Sequence, residues 1–366
     1  MDSPATWCPP SSDSPNLVLD GLTCRSMSES TPNAETLRLG DDPPIRIVRA
    51  PDVLFVPEHR LQILPGGVVP LEGTLWRDHL RLYQDLYRDS PRSRIRLALP
   101  VPTLEDEVCV LANIWCDNFF HCVESMLKVV ILERHGFSGQ YLSADLPSFA
   151  SELLGILGIH EGRILDDLSD PVVLRAAVLT TPVKLAADSS EPGFDIMSHP
   201  LAFFLLRDAL TAGVADCDFD LGPRLWIKRD EQISRQSDVV NRFEVSKILH
   251  RHGIAEVEMT RFSVREQISA AQRAELISGP HGAGLVHSMF LPEHSTVIEF
   301  FSPQHVNPSV IEICRLLKHR YHQLVDINTV DYEYKSGADV EINLSHLELA
   351  LAMAGESSTP PPGRPA

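Results

Sequence analysis

The sequence predicts an α/β fold in two domains, and three observations carry that prediction. Between residues 108 and 325, short apolar runs of strand length alternate with longer segments whose apolar residues recur every three or four positions, as strands and helices in turn would. The alternation breaks at residues 213–223 (GVADCDFDLGP), a period-free acidic stretch bounded by glycine and proline that reads as a linker. The length, 366 residues, suffices for two cores.

Taken in order, residues 1–43 are rich in Ser, Pro, Asp and Thr and, like residues 354–366, bury too little surface to offset ordering; both read as disordered tails. The first domain spans 44–212. It opens with β-like runs at 45–48, 53–56 and 61–64, separated by Pro, Asp and Gly-Gly, which suggest a small antiparallel sheet. A helical face over 76–87 follows, flanked by Arg77, Arg81, Arg88, Arg92, Arg94 and Arg96; a solvated surface is preferred to an acceptor or lipid-phosphate contact. A strand at 108–114 leads to a long helix through residue 131, with Asn118 as its N-cap and His121 in its first turn. Strands at 140–143, 163–165 and 172–180 then alternate with helices at 148–157 and 200–211.

The second domain, 224–330, has strands at 224–228, 255–257, 276–278, 296–301 and 321–325. Helices at 242–250, 263–271 and 308–318 lie between them, and Ser263-x-x-Glu266 is a capping box. This is half of a doubly wound sheet, which binds ligands at the carboxyl ends of its strands. Residues 331–353 are expected to cross back to the first domain with a helix at 344–353.

Composition excludes several classes. With 50 acidic against 32 basic residues the net charge is −18, which opposes non-specific attraction to nucleic acid or an anionic membrane surface. A phosphate site must therefore be a local positive spot. The seven cysteines are an odd number without a C-x-x-C pair, which argues against a disulfide framework and a structural zinc site. The N-terminus lacks the basic start and apolar core of a signal peptide, and no apolar run approaches the ~20 residues of a membrane span. These features predict a cytoplasmic protein with no transmembrane segment, leaving peripheral membrane contact open.

The chemistry concentrates in residues 274–300. After the strand ending at Gly279-Pro280 comes His281-Gly282-Ala283-Gly284, followed by apolar residues at helical spacing. Glycines there let backbone approach a ligand, and the amides and dipole that start the helix form an anion site suited to a diphosphate. The spacing G-x-x-G-x-G is neither the dinucleotide fingerprint nor a P-loop. The alternative is that Gly282 and Gly284 only let the helix pack close to the sheet. Gly282 is further read as intolerant of a β-branched side chain, which resists positive φ. Asp216-Cys217-Asp218 spells D-x-D, but it lies in the linker without a preceding strand, so no metal site is predicted.

Four blocks carry a resemblance: GPHGAGLVHSMFLP, VIEF, FSVREQI and, upstream, NFFHCVESML. Together they resemble the signature of glycosyltransferase family 61, over residues 118–299 and most densely from 224 to 300. The resemblance implies a GT-B fold, two Rossmann-like α/β domains facing a central cleft. It also implies inverting transfer of a sugar from a nucleotide-diphosphate sugar, foremost a UDP-sugar, to a glycan or polysaccharide hydroxyl. No cofactor is implied beyond the nucleotide sugar, which is the donor substrate.

The resemblance assigns donor binding to Arg229, after the first strand of the second domain, and to the N-x-x-E pair Asn241 and Glu244. Arg235 is a further basic candidate, more distant from the Asn than the usual family arginine. Gln267 matches a family position and is read as bridging helix to nucleotide. His281, Gly282, Ala283 and Gly284 would meet the diphosphate or donor sugar, and Glu299 would accept ribose or sugar hydroxyls. His121 is the candidate catalytic base. The family shows an acid four residues after this His, where the chain has Ser125; Glu124 is one residue early, about 100° round a helix. Either Glu124 substitutes or the acidic role is absent. Two competing functions follow: a catalytically inactive nucleotide-sugar-binding protein of the same fold, and a hydrolase with HGAG as oxyanion loop, which lacks the G-x-S-x-G elbow.

Overall fold

The computed structural model describes residues 16–19, 23–25, 34–38, 45–65, 68–70, 95–98, 100–112, 116–143, 146–180, 199–229, 239–303, 306, 309–325 and 339–356. The expected helix at 76–87, Arg235 and the tail beyond residue 356 lie outside them. By contacts the chain divides into two compact α/β units, Met1–Lys184 with Met197–Leu206, and Leu185–Ile196 with Arg207–Ala366.

The first unit is built on a seven-stranded mixed sheet. Its strands are β3 (Ala34–Leu37), β4 (Ile45–Val56), β5 (Leu61–Ile63), β8 (Thr103–Val110), β9 (Gln140–Leu142), β10 (Ile164–Leu165) and β11 (Val172–Thr180). Two small pairs accompany it: β1 (Asn16–Leu19) with β7 (Ile95–Ala98), and β2 (Thr23–Arg25) with β6 (Val68–Pro70). Three of these strands fall inside 1–43, so that region is not wholly a tail. The order β10-β9-β8-β11 is parallel throughout, and β4 joins β11 antiparallel.

The two runs expected at 45–48 and 53–56 are one strand. Register with β11 continues unbroken through Pro51, where a proline-aspartate break was expected, and Asp52 takes φ 53° with its carboxylate paired to Arg175 of β11. The strand expected at 108–114 begins earlier, at Thr103, and runs through the acidic stretch 105–107, where Arg175 of the neighbouring β11 and Arg49 of β4 pair with Glu105 and Glu107. Helix α1 (Phe119–Arg134) starts as predicted: the Asn118 side chain accepts from the Phe120 amide at 2.9 Å. Helix α2 (Ser148–Ile156) follows β9, and α3 (Pro200–Gly213) spans the division between the units.

The second unit is a five-stranded parallel sheet. Its strands are β12 (Arg224–Ile227), β13 (Ala255–Val257), β14 (Leu276–Pro280), β15 (Thr296–Phe301) and β16 (Arg320–Val325), in the order β13-β12-β14-β15-β16. Every residue of β14 and β15 is buried, as expected for central parallel strands covered on both faces. The helices are α4 (Arg242–Arg251), α5 (Val264–Arg273), α6 (Ser309–Leu316) and α7 (Leu344–Glu356). The Ser263–Glu266 capping box opens α5 as predicted.

Two boundaries differ from expectation. Residues 214–223 pack on the second unit, where Ser269 Oγ donates to Cys217 O at 2.7 Å and accepts from Phe219 N at 3.2 Å. Helix α7 does not leave the second unit: Leu347, Ala350 and Leu351 join Trp226, Val245 and Ile248 in one core cluster. Those apolar positions recur at helical spacing and bury against α4 and the sheet.

Candidate functional site

In the second unit the strand order, renumbered along the unit, is 2-1-3-4-5. In such a sheet the connections from the first strand run to opposite sides, and the crevice lies at the carboxyl ends of strands one and three. Those strands are β12 and β14. The chain leaves β12 into Lys228-Arg229 and leaves β14 into His281-Gly282-Ala283-Gly284, so the predicted cation and the glycine loop meet at the switch point.

The glycines have distinct reasons. A Cβ on Gly279 would lie 2.7 Å from Ile227 O, and one on Gly284 would lie 2.6 Å from Ile227 Cγ2. Both positions therefore let β14 and its loop press against the end of β12. Gly282 differs: its φ is 168°, ordinary extended backbone, so the expected demand for positive φ does not hold. A Cβ there would sit 3.4 Å from Arg229 Nη2, in contact with the guanidinium. Arg229 in turn donates from Nη2 to His281 O. The residues after the loop form a 3-10 helix, Ala283–Phe290, whose first bond is Leu285 N to Gly282 O at 3.0 Å. The amides of Gly282, Ala283 and Gly284 precede that bond, at the end of a helix where N–H groups and dipole favour an anion.

His281 is held from two sides. Its Nδ1 lies 2.6 Å from Glu299 Oε1, and its ring stacks on Phe301 at 4.8 Å and 19°. Glu299 is completely buried, and its Oε2 accepts from Tyr321 at 2.6 Å. Burial, then the Glu299 charge, raises the Tyr321 pKa and keeps that hydroxyl a donor. Both oxygens of Glu299, the residue expected to meet ribose or sugar hydroxyls, have protein partners, and one of them orients His281.

Gln267 also turns inward. Its Nε2 donates to Phe262 O at 2.8 Å and its Oε1 lies 2.9 Å from Nε2 of His287, a residue the sequence reading did not single out. His287 is 1% exposed, and its Nδ1 lies 2.7 Å from Gly284 O. Burial pushes the His287 pKa down to about 4, so the ring is neutral at pH 7 and donates once. Gly284 O can only accept, so the proton sits on Nδ1, and Nε2 then meets Gln267 Oε1 as a close polar contact with no proton between them. The signal available in sequence was a histidine three residues after a loop glycine, one 3-10 turn on.

Asn241 forms a clasp: Nδ2 donates to Ile342 O at 2.7 Å and Oδ1 accepts from Ile342 N at 3.0 Å. This is a backbone-like pairing that Val240 N to Val340 O extends. Glu244 is exposed in the first turn of α4. The D-x-D acids face α5, Asp216 paired to Arg265 and Asp218 to Arg273 at 2.7 Å. Among the described residues no cluster of ligands for a metal ion is found.

In the first unit, His121 Nδ1 lies 2.8 Å from Glu124 Oε2, with Glu124 fully buried. A separation of three residues brings the acid under the imidazole as well as four would. Ser125 is buried and its Oγ lies 3.1 Å from Cys116 Sγ. The structure therefore brings together His121 with Glu124 in one unit, and Arg229, His281–Gly284 and Glu299 in the other.

No helix among the described residues is long and apolar enough to cross a membrane. No curated protein matches the chain. The family model described as Glycosyltransferase 61 matches residues 77–298, more than half of the sequence, and includes every residue of both constellations except Glu299, one position beyond its end. On that match the chain belongs to glycosyltransferase family 61 and is a glycosyltransferase.

Proposed function

We propose that the enzyme transfers a sugar, with inversion and without a metal, from a nucleotide-diphosphate sugar to a hydroxyl of a glycan or polysaccharide. A UDP-sugar is the foremost donor. The GT-B arrangement is part of the same reading, supported by the two α/β units and the family. The observation that carries the reading is the convergence of Arg229 and the glycine loop at the switch point of a parallel sheet in an otherwise acidic chain. There the helix-start amides and one guanidinium would neutralise the diphosphate as it takes negative charge in the transition state. His281, fixed by Glu299 and Phe301, would meet the diphosphate or the donor sugar.

His121 is assigned the proton. With Nδ1 committed to Glu124, Nε2 is the nitrogen that would take the acceptor hydroxyl proton while that oxygen bonds the anomeric carbon and the diphosphate leaves. The Asp216 and Asp218 ion pairs with α5 support the metal-free form, because each acid already has a cation partner.

The test is calorimetric binding of UDP and UDP-sugars together with transfer measured in excess EDTA. Arg229→Ala should weaken nucleotide binding by about 1.5–3 kcal/mol, the worth of a hydrogen bond to a charged group. His121→Ala should leave donor affinity nearly intact and lower turnover by about 10²–10⁴. Loss of transfer in EDTA with rescue by Mn²⁺ would overturn the metal-free mechanism, and binding without product would favour the inactive alternative.

A further inference from the structure

The loop that meets the donor contains two glycines in four residues, and glycine loses more backbone freedom on ordering than any other residue. Something must hold it. Arg229 fastens one end by donating to His281 O. The other end is fastened from inside the protein, where Nδ1 of the buried His287 lies 2.7 Å from Gly284 O. Gln267 abuts the far side of the same ring, Oε1 at 2.9 Å from Nε2, while its own Nε2 is tied to Phe262 O at the foot of α5.

We propose that His287 is a positioning residue: through the Nδ1 bond it holds the Gly284 carbonyl inward and so keeps the preceding amides of Gly282, Ala283 and Gly284 turned toward the donor diphosphate. In a helix start the carbonyls run along the axis away from the amides, so fixing the direction of one fixes the other. The assignment of a diphosphate to these amides rests on the proposed function; the tethering of the loop does not.

Two substitutions divide the ring's contacts. His287→Asn keeps a donor nitrogen on Cγ, where Nδ1 stands, and so keeps the Gly284 bond while losing Gln267. His287→Gln moves the amide one carbon out, keeping reach toward Gln267 and losing Gly284. Each variant retains one of the two contacts, so a role confined to stability would not separate them. Hydrogen exchange of the peptide over residues 279–285 in the ligand-free protein should accelerate about tenfold in His287→Gln and stay near wild type in His287→Asn. UDP affinity should fall about tenfold in His287→Gln and little in His287→Asn. Should His287→Gln not accumulate folded, His287→Leu removes the Gly284 bond and the polar contact with Gln267 at similar volume and is expected to match it. Equal exchange and equal affinity in the Asn and Gln variants would overturn the role of His287. A wild-type protein that binds no UDP would instead overturn the diphosphate reading, with the exchange comparison still deciding whether His287 tethers the loop.

Discussion

At the scale of the residue, each glycine of the loop does different work, and substitution should separate them. Gly284→Ala would set a methyl 2.6 Å from Ile227 Cγ2, and overpacking of that kind costs about 1–3 kcal/mol. Gly282→Ala meets only the guanidinium of Arg229 at 3.4 Å, on extended backbone, so it should leave the denaturation midpoint almost unchanged and weaken UDP binding. Denaturant unfolding and calorimetry on both variants check this; equal loss of stability in the two would show that Gly282 is also a packing glycine. Sequence spacing marked these positions as a loop but could not tell a steric glycine from a ligand-facing one, because that depends on how closely β12 approaches. The protein partners of Glu299 are illegible in sequence for a similar reason. Its partner Tyr321 comes from β16, and the register that pairs Glu299 with Gln323 is a long-range fact absent from local pattern.

Elements were more legible than contacts. The bounds of β11 and β15 follow from runs of largely buried β-branched and aliphatic residues between turn signals, and the Asn118 cap of α1 and the capping box of α5 are local chemistry that sequence displays directly. Strand β4 was not legible as one element, since the continuity across Pro51 is imposed by β11 and Arg175 rather than by local preference. The start of α4 shows the same limit: the resemblance makes Asn241 a donor residue, while the bond from its amide to Ile342, 101 residues away, leaves no local trace in the sequence. Asn241→Asp would replace the donating nitrogen with an oxygen facing the Ile342 carbonyl, and an unsatisfied buried group costs about 1–3 kcal/mol. The expected result is a lower unfolding midpoint for Asn241→Asp, with donor affinity close to wild type in the folded protein. A stable variant that had lost UDP binding would restore Asn241 to the donor site.

For the molecule as a whole, three histidines among the described residues of the second unit have a pKa lowered mainly by burial: His287, His319 and His322. The unfolded chain protonates such groups near 6.5, whereas folded His287 does so only near 4. Between those values the unfolded state binds more protons than the folded one, so stability rises with pH across the window and is lost as pH falls from about 6.5 toward 4. Above the window the imidazole is neutral in both states and imposes no penalty; below it the penalty has reached its full size. A shift from 6.5 to about 4 corresponds to about 3 kcal/mol for His287, a large fraction of the net stability of an ordinary domain. His319 and His322 act in the same direction. Unfolding midpoints in denaturant measured from pH 7.5 down to pH 4 should therefore fall steeply in the wild type. His287→Asn, which has no titrating ring, should show a visibly shallower fall while retaining the Gly284 bond. Identical slopes for the two proteins would mean that folded His287 takes up its proton as readily as the unfolded chain does. The ring would then be charged beneath the loop at mildly acidic pH, and its tether to Gly284 would be that of an imidazolium rather than of a buried neutral donor.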